Sequence, residues 1–465
     1  MRLLEAFANI FRVPDLRKRL LFTLAMLAVY RLGGHIPTPG INLQRWEQFF
    51  ASNQGSIFGF FDLFAGGNIR RLTIFALGIM PYITASIILQ LLTVVIPTLE
   101  KLQKEGELGR RKITQWTRYL TIILSVIQSF GISQGLEAMQ GGIVIHPGAG
   151  FVLLTIVSLT TGSAYIMWLG EQISERGVGN GMSLIIFAGI VVGLPSAIQN
   201  LYTNTFVTHE WSALMLILIL VMMVVVVAFI VLVERGERRI PVQYAKRVVG
   251  RRVMGGQSTH MPLKVNAGGV IPPIFASSIL AFPSTIAAMP WAKNSPWISA
   301  MLRPIQHGMP LYYVVFVIGI IFFCFFYVSI IFNPNEAADN MRKYGGFVPG
   351  IRPGRNTADY MNTILTKLTV VGGLYLALLC VIPDIMIGGI KLQYLPLIGN
   401  WMDQVAPRFL LEGLNVQFYF GGTSLLIVVG VAMDTINQIE AQLIMRHYEG
   451  FTPRSGRIKG RRSTF

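Results

Sequence analysis

Ten apolar stretches, each about long enough to cross a lipid bilayer, dominate this 465-residue chain. A hydrocarbon core about 30 Å thick needs roughly 20 mostly apolar residues per helix. The stretches lie near residues 18–36, 74–96, 115–135, 151–174, 181–201, 211–233, 267–289, 311–332, 366–386 and 421–443. Such continuous apolarity predicts helices, because the strands of a membrane barrel alternate over about 10 residues. The sequence therefore predicts an all-α integral membrane protein with ten transmembrane helices.

Composition agrees with this class of protein. Apolar residues make up 53% of the chain and charged residues only 13%, whereas about a quarter of a soluble domain is charged. Both cysteines, Cys324 and Cys380, fall inside predicted spans and offer neither a disulfide framework nor the spacing of metal ligands. No cleavable signal peptide is expected, because the first apolar run ends without a small-residue cleavage site.

The net charge of +17 is distributed in a way that predicts topology. The loop after the sixth stretch holds eight Lys or Arg residues, whereas the loops after the third and fifth hold none. Because short basic loops mark the cytoplasmic side, both termini are predicted to be cytoplasmic in a multi-pass protein. Topology alone does not require eight basic residues in one loop.

Two short segments outside the spans are apolar. Residues 1–16 have the spacing of an amphipathic cytoplasmic helix, which suits either the lipid interface or a partner protein. Residues 57–64 are strongly apolar but far too short to cross the bilayer, so they indicate a re-entrant or an interfacial segment. Gly66 and Gly67 follow and offer a hinge, because glycine tolerates positive φ. Residues 446–465 form a basic cytoplasmic tail.

Catalytic motifs are missing from the sequence. It contains no HExxH zinc motif, no GxxxxGK[ST] phosphate loop and no GxSxG nucleophile elbow. Ionisable residues lie toward the ends of the spans, which argues against a proton-coupled pathway. The sequence therefore predicts no enzyme and no cofactor. Three classes remain open: a channel with an apolar path, a polytopic secondary transporter of a small solute, and a membrane scaffold that transports nothing.

Several long strings carry a resemblance to one family. Residues 66–93 read GGNIRRLTIFALGIMPYITASIILQLLT, residues 168–195 read WLGEQISERGVGNGMSLIIFAGIVVGLP, and residues 332–354 read FNPNEAADNMRKYGGFVPGIRPG. With VERGERRIPVQYAKRVVGRR at 233–252, they closely resemble the SecY family of bacterial protein-translocase channel subunits. The resemblance runs in order from about residue 10 to 445.

The resemblance implies two pseudo-symmetric five-helix halves, 17–205 and 206–445, with a re-entrant plug helix at about 57–70. An unfolded preprotein would cross the cytoplasmic membrane through the centre, and membrane segments would leave sideways between spans two and seven. The implied pore ring is Ile79, Ile83, Ile186, Ile190, Ile274 and Ile427. The implied plug comprises Phe58, Phe60, Phe61, Leu63, Phe64, Gly66 and Gly67, and the implied lateral gate comprises Thr84, Gln90, Ser277 and Ser278. The polar side chains of this gate are expected to hydrogen-bond across the helices, for about 0.6 kcal/mol each.

The resemblance also implies docking surfaces and partners. Loops 234–264 and 333–365 would bind the SecA motor ATPase or the ribosome, including ribosomal RNA phosphates. The implied docking residues are Arg238, Arg239, Lys246, Arg247, Arg251, Arg252 and Arg352. SecE and SecG would complete a heterotrimer that also meets signal sequences and membrane lipids. The external loop 387–418 is longer than the family pattern and receives no function.

Overall fold

The structure is a computed structural model. It describes residues 13–52, 62, 65–139, 142–207, 213–244, 247–249, 252–254, 258–288, 297, 300, 302–305, 308–389 and 422–449. The predicted N-terminal helix therefore lies mostly outside the described residues, as do most of the basic tail and nearly all of the long external loop.

Helices account for nearly every apolar stretch in the first part of the chain. They are α1 (Pro14–Gly33), α2 (Leu43–Ser52), α3 (Met80–Val95), α4 (Pro97–Lys104), α5 (Glu107–Ala138), α6 (Ala149–Arg176), α7 (Gly181–Val192) and α8 (Leu194–Tyr202), followed by a π-helical turn (Thr203–Val207). A 101° bend separates α3 from α4, and Pro97 stands at that bend as the first residue of α4, where its missing N–H costs no helical hydrogen bond.

The second part of the chain continues in the same way. Its helices are α9 (Ala213–Glu234), α10 (Ile271–Ala288), α11 (Pro310–Ile331), α12 (Pro334–Lys343), α13 (Arg355–Gly388) and α14 (Gly422–Glu449), with a short 3₁₀ turn at Arg303–Ile305. Each of the ten predicted stretches thus contains a helix.

Within the described residues, six helices are long and apolar enough to cross a membrane, or seven if the bent pair α3–α4 is one span. The helix α1 is not among them; it begins with a polar turn that carries Arg17, Lys18 and Arg19. The chain is thus a multi-pass membrane protein of predominantly helical fold, as predicted.

Helix contacts fall into two neighbourhoods. In the first, α5 packs against α3 and α6, while α6 also contacts α1 and α7. In the second, α11 packs against α10 and α13, while α14 contacts α9 and α13. The two neighbourhoods meet where α3 contacts α10 and where α7 contacts α14. The core of the molecule lies along these two lines of contact.

The loops 234–264 and 333–365 contain β-structure that was not predicted from the sequence. Strand β1 (Glu237–Tyr244) pairs antiparallel with β4 (Ser258–Lys264) and, at its end, with β5 (Gly346–Phe347). Between them, β2 (Arg247–Val249) and β3 (Arg252–Met254) form a separate two-stranded ladder. The loops 234–264 and 333–365 therefore share one sheet and one apolar cluster, in which Ile240, Val348 and Met361 are buried.

Three helix boundaries differ from the limits of the predicted segments. Residues 74–79 form turns before α3 begins at Met80, and Gly78 has φ +56°. Residues 355–365 belong to α13, so the loop 333–365 ends in helix. The helix α14 continues to Glu449, beyond the predicted start of the tail. In the last two cases the helix runs on past the apolar stretch, because backbone hydrogen bonds do not require apolar side chains.

Candidate functional site

Six isoleucines named in the sequence analysis come together in the core. Ile79, Ile83, Ile186, Ile190, Ile274 and Ile427 are each at most 9% exposed, and all six belong to one apolar cluster. They come from α3 and the turn before it, and from α7, α10 and α14. These four helices make the two contacts between the helix neighbourhoods, α3 with α10 and α7 with α14. The result is a buried apolar cluster where the two helix neighbourhoods meet.

Two pairs of these isoleucines are spaced four residues apart, so the two side chains of each pair lie on the same helix face. The N–H of Ile83 donates to the carbonyl of Ile79 at 3.1 Å, so the two side chains lie one turn apart on one face. On α7, Ile186 and Ile190 have the same spacing. Asn180 fixes the start of that helix, because its side chain accepts a hydrogen bond from the N–H of Met182 at 3.1 Å.

The return segment, residues 65–71, contains most of the described part of the candidate plug. The candidate plug residues Phe58, Phe60, Phe61, Leu63 and Phe64 lie outside the described residues. Asp62 is described and is 5% exposed. Its Oδ1 accepts hydrogen bonds from the N–H groups of Ile69 and Arg70, both at 2.9 Å, which closes the return segment into a compact turn.

Three polar groups tie the return segment to α1. The hydroxyl of Tyr30 donates to the carbonyl of Ala65 at 3.3 Å. The side-chain amide of Asn68 donates to the same carbonyl at 2.6 Å and to the Tyr30 hydroxyl at 3.3 Å. Both side chains are buried, at 5% and 2% exposure. Because a buried polar group is costly to leave unpaired, this network stabilises the docked position of the segment.

Gly66 and Gly67 differ in their surroundings, although both have positive φ, +70° and +80°. A side-chain carbon built on Gly66 would lie 2.7 Å from the Cα of Gly189 in α7, whereas one built on Gly67 would meet nothing within 4 Å. The two glycines were predicted as a hinge. In the docked segment Gly66 packs directly against α7. Of the two glycines, only Gly67 has room for a side-chain carbon.

Burial changes the acidity of Asp62, which lies outside the spanning helices. Desolvation raises the pKa of this carboxyl to about 6, although the N–H groups of Arg70 and Ile69 and the charge of Arg70 oppose the shift. The carboxylate is therefore less stable in the docked segment than in water.

Helix α2 also supports the return segment. The indole N–H of Trp46 donates to the carbonyl of Ile69 at 2.9 Å, and Trp46 is 2% exposed. It packs in a separate apolar cluster with Phe50, Leu72 and Phe151. The loop before α3 is therefore a folded unit and not a free connection.

The candidate gate residues lie on α3 and α10, two helices that contact each other. The hydroxyls of Ser277 and Ser278 both donate to the carbonyl of Ile274, at 2.9 and 2.8 Å, and Thr84 donates to the carbonyl of Met80 at 3.0 Å. The expectation that these hydroxyls donate across the helices was therefore wrong, because each finds an acceptor in its own helix. Among the described residues, the buried Oε1 of Gln90 has no hydrogen-bond partner.

The candidate docking residues lie on the shared sheet and beside it. Arg238 and Arg239 are exposed on β1, and Arg352 is exposed in the loop before α13. The carbonyl of Arg352 accepts a hydrogen bond from the Thr357 hydroxyl at 3.0 Å. Arg247 lies on β2 and Arg252 on β3, whereas Lys246 and Arg251 lie outside the described residues.

No roles were predicted from the sequence for Tyr30, Asn68, Trp46 or Gly189. Their partners lie 23 residues or more away along the chain, apart from the Asn68–Ala65 bond, so local pattern carries no signal for them. Asp62 did carry a signal, since a carboxylate inside an apolar run is unusual.

Sequence comparisons give a single family. A family model described as SecY matches residues 73–436. The protein translocase subunit SecY of Escherichia coli strain K12 is 49% identical over 440 residues, covering 94% of this chain and 93% of that protein. The protein translocase subunit SecY of Streptomyces galbus is 46% identical over 461 residues, covering 97% of this chain and all of that protein.

Solved structures share the fold at lower identity. A structure of a protein-conducting channel has a TM-score of 0.59 at 18% identity, covering 94% of this chain and 95% of that one. A SecY structure described by its plug domain, which stabilises the closed state there, has a TM-score of 0.60 at 17% identity and the same coverage. Sec61 in the canine ribosome–channel complex has a TM-score of 0.56, also at 17% identity, again covering 94% of this chain and 95% of that one.

Proposed function

The chain belongs to the SecY family, and from that premise we propose that it is the central channel subunit of a bacterial protein translocase. It conducts unfolded preproteins across the cytoplasmic membrane and releases membrane segments sideways into lipid. The relatives are named as translocase subunits, so the prediction of a small-solute transporter is not supported.

One observation supports the mechanism: the six buried isoleucines cluster where the two helix neighbourhoods meet. We take this cluster as the constriction of the channel. An apolar constriction excludes water and ions by dewetting. It makes no specific hydrogen bonds, so side chains of any chemistry can pass it in sequence. The ring therefore seals the resting channel and yields to a polypeptide.

The return segment and gate complete the proposed cycle. The Tyr30–Asn68 network and the Gly66–Gly189 contact hold the plug in its closed position. The gate opens between α3 and α10, where the donors of Thr84, Ser277 and Ser278 are already satisfied within their own helices. Few hydrogen bonds across the gate then have to break when a signal sequence enters, which lowers the cost of opening.

The cytoplasmic sheet is the proposed docking surface for partners. Arg238, Arg239 and Arg352 project from a single folded unit, so one partner can contact both loops. SecA or a ribosome binds there and supplies the driving energy, because this sequence carries no phosphate-binding loop and is proposed not to be an enzyme. SecE and SecG complete the heterotrimer, with both termini of this chain in the cytoplasm.

Cross-linking of a stalled preprotein tests the path. Single cysteines replace Ile190 in the ring and, as a control, the exposed Ile318 on α11, after the two natural cysteines are replaced. A preprotein with one cysteine in its stalled region should form a disulfide with I190C and not with I318C. Equal yields at both positions, or none at I190C while the stall persists, would remove the constriction from the path.

A further inference from the structure

A cavity of about 290 Å³ opens on the external side, between the end of α1, the return segment and the end of α7. Its charged lining is Arg31, Arg70, Arg71, Glu47 and Asp62, and Gly66 and Gly189 lie at its wall. Neither the ring nor the gate accounts for so many charges at one place.

Within the part of the chain that the structure describes, no salt bridge involves the three arginines, although the charges of Arg70 and Arg71 act on the buried carboxyl of Asp62. The ion pairs found there join Lys104 to Glu100, Arg111 to Glu107, Arg118 to Glu171 and Arg239 to Glu237. Residues 53–61 and 63–64, beside the cavity in sequence, contain no carboxylate. The guanidinium of Arg31 makes one long contact, 3.5 Å, to the carbonyl of Gly66.

The two carboxylates in the lining leave an excess of positive charge. Three arginines against two carboxylates give a formal net charge of +1. Asp62 is buried, and its Oδ1 already accepts two backbone N–H groups. Glu47 stands exposed on α2. Guanidinium groups brought together from α1 and the return segment repel each other unless an anion lies between them.

We propose that this cavity binds a small oxyanion of the phosphate or sulfate type, which bridges Arg31 to Arg70 and Arg71. Guanidinium groups suit such a ligand, because their N–H donors match the geometry of paired oxyanion oxygens. The volume holds one such ion with several waters, at about 30 Å³ per water. The bound ion links α1 to the return segment and stabilises the plug in its docked position.

Free inorganic anion and the phosphodiester headgroup of phosphatidylglycerol offer the same chemistry. The complete complex with SecE and SecG is therefore reconstituted in nanodiscs of phosphatidylcholine alone or with added phosphatidylglycerol. Binding of inorganic sulfate is measured by calorimetry against sodium chloride of equal ionic strength. Saturable sulfate binding in both lipids supports a free ion, and binding lost when phosphatidylglycerol is present supports a headgroup in the same site.

Variants locate the ion. R31Q and R71Q should each weaken sulfate binding about tenfold, the loss expected for one charge-assisted contact. R45Q is the matched control, because Arg45 is also external but donates to the carbonyl of Gly142 and does not line the cavity. Thermal unfolding in sodium chloride checks that each variant remains folded. Absence of saturable binding in phosphatidylcholine, or equal binding by wild type, R31Q and R71Q, would overturn the proposal.

Discussion

Gly66 of the return segment and Gly189 of α7 meet backbone to backbone, with no room for a side chain between them: a carbon built on Gly66 would lie 2.7 Å from the Cα of Gly189. Gly189 directly precedes Ile190 of the apolar constriction. The docked segment and the constriction are therefore joined by a contact that only small residues allow, and movement of one is expected to alter the other.

Substitution of Gly66 tests that contact. G66A and G67A both place alanine at positive φ, which costs about 1–2 kcal/mol. Only G66A adds a steric clash with α7, worth about 1–3 kcal/mol more. We expect the resting ion conductance of the complex in planar bilayers to be higher for G66A than for G67A. Equal conductance in the two variants would mean that the Gly189 contact does not hold the plug.

Removal of the Tyr30 hydroxyl tests the buried hydrogen-bond network. Y30F loses the donor to Ala65 and the acceptor for Asn68, at a net cost of about 0.5–1.5 kcal/mol per bond. Resting conductance should rise several-fold. Y165F is the control, because Tyr165 also stacks on Phe75 but lies outside the network. A similar rise in both variants would mean that the effect does not come from the hydrogen bonds of Tyr30 to Ala65 and Asn68.

The ionisation of Asp62 provides a third test of the docked segment, through its dependence on pH. Its pKa in the docked segment is raised by burial to about 6 from 3.8, so protonation favours docking. That contribution is fully present below pH 3.8 and is lost as the pH rises through about 6. Resting conductance of the wild type should therefore increase as the external pH rises from about 5 to about 7.

D62N separates charge from hydrogen bonding in the same experiment. The amide oxygen keeps an acceptor for the N–H groups of Ile69 and Arg70 but does not titrate. The resting conductance of the D62N variant should stay low and should not vary with pH. A pH response in D62N as large as in the wild type would exclude Asp62 as the titrating group.

Polar substitution within the constriction tests the seal. Replacing both Ile83 and Ile190 by serine should let water enter and should raise resting ion conductance at least tenfold, because dewetting depends on apolar walls. Serine at the exposed Ile318 of α11 is the control. If conductance does not change in the double variant, the six isoleucines are packing residues, as in a scaffold that transports nothing.

The positions of the helices followed from the sequence, because the bilayer demands long apolar runs. The constriction residues could be named from the family resemblance, and the i, i+4 spacing of two pairs agrees with a shared face. The sequence does contain a signal for the late start of α3. Gly78 tolerates the positive φ found there, and Pro81 suits the first turn of a helix. The alternation of Ile240 and Val242 likewise indicated a strand.

Other features depend on contacts between distant residues. The two-residue strand β5 pairs with the end of β1 across roughly a hundred residues of chain, and nothing in Gly346 or Phe347 specifies that register. The same holds for Tyr30 and Asn68, which are 38 residues apart. The acceptors of Ser277 and Ser278 were mispredicted because a hydroxyl in a helix usually bonds to the preceding turn.

The most direct test of the central claim is transport itself. Proteoliposomes containing this chain with SecE and SecG receive a signal-bearing preprotein, SecA and ATP, and protease protection of the preprotein is measured. Vesicles that lack only this chain are the control, and a known translocon runs in parallel. We predict protection only when this chain is present. If it gives no protection while its partners are bound and the known translocon works, the proposal that it is the conducting channel is contradicted.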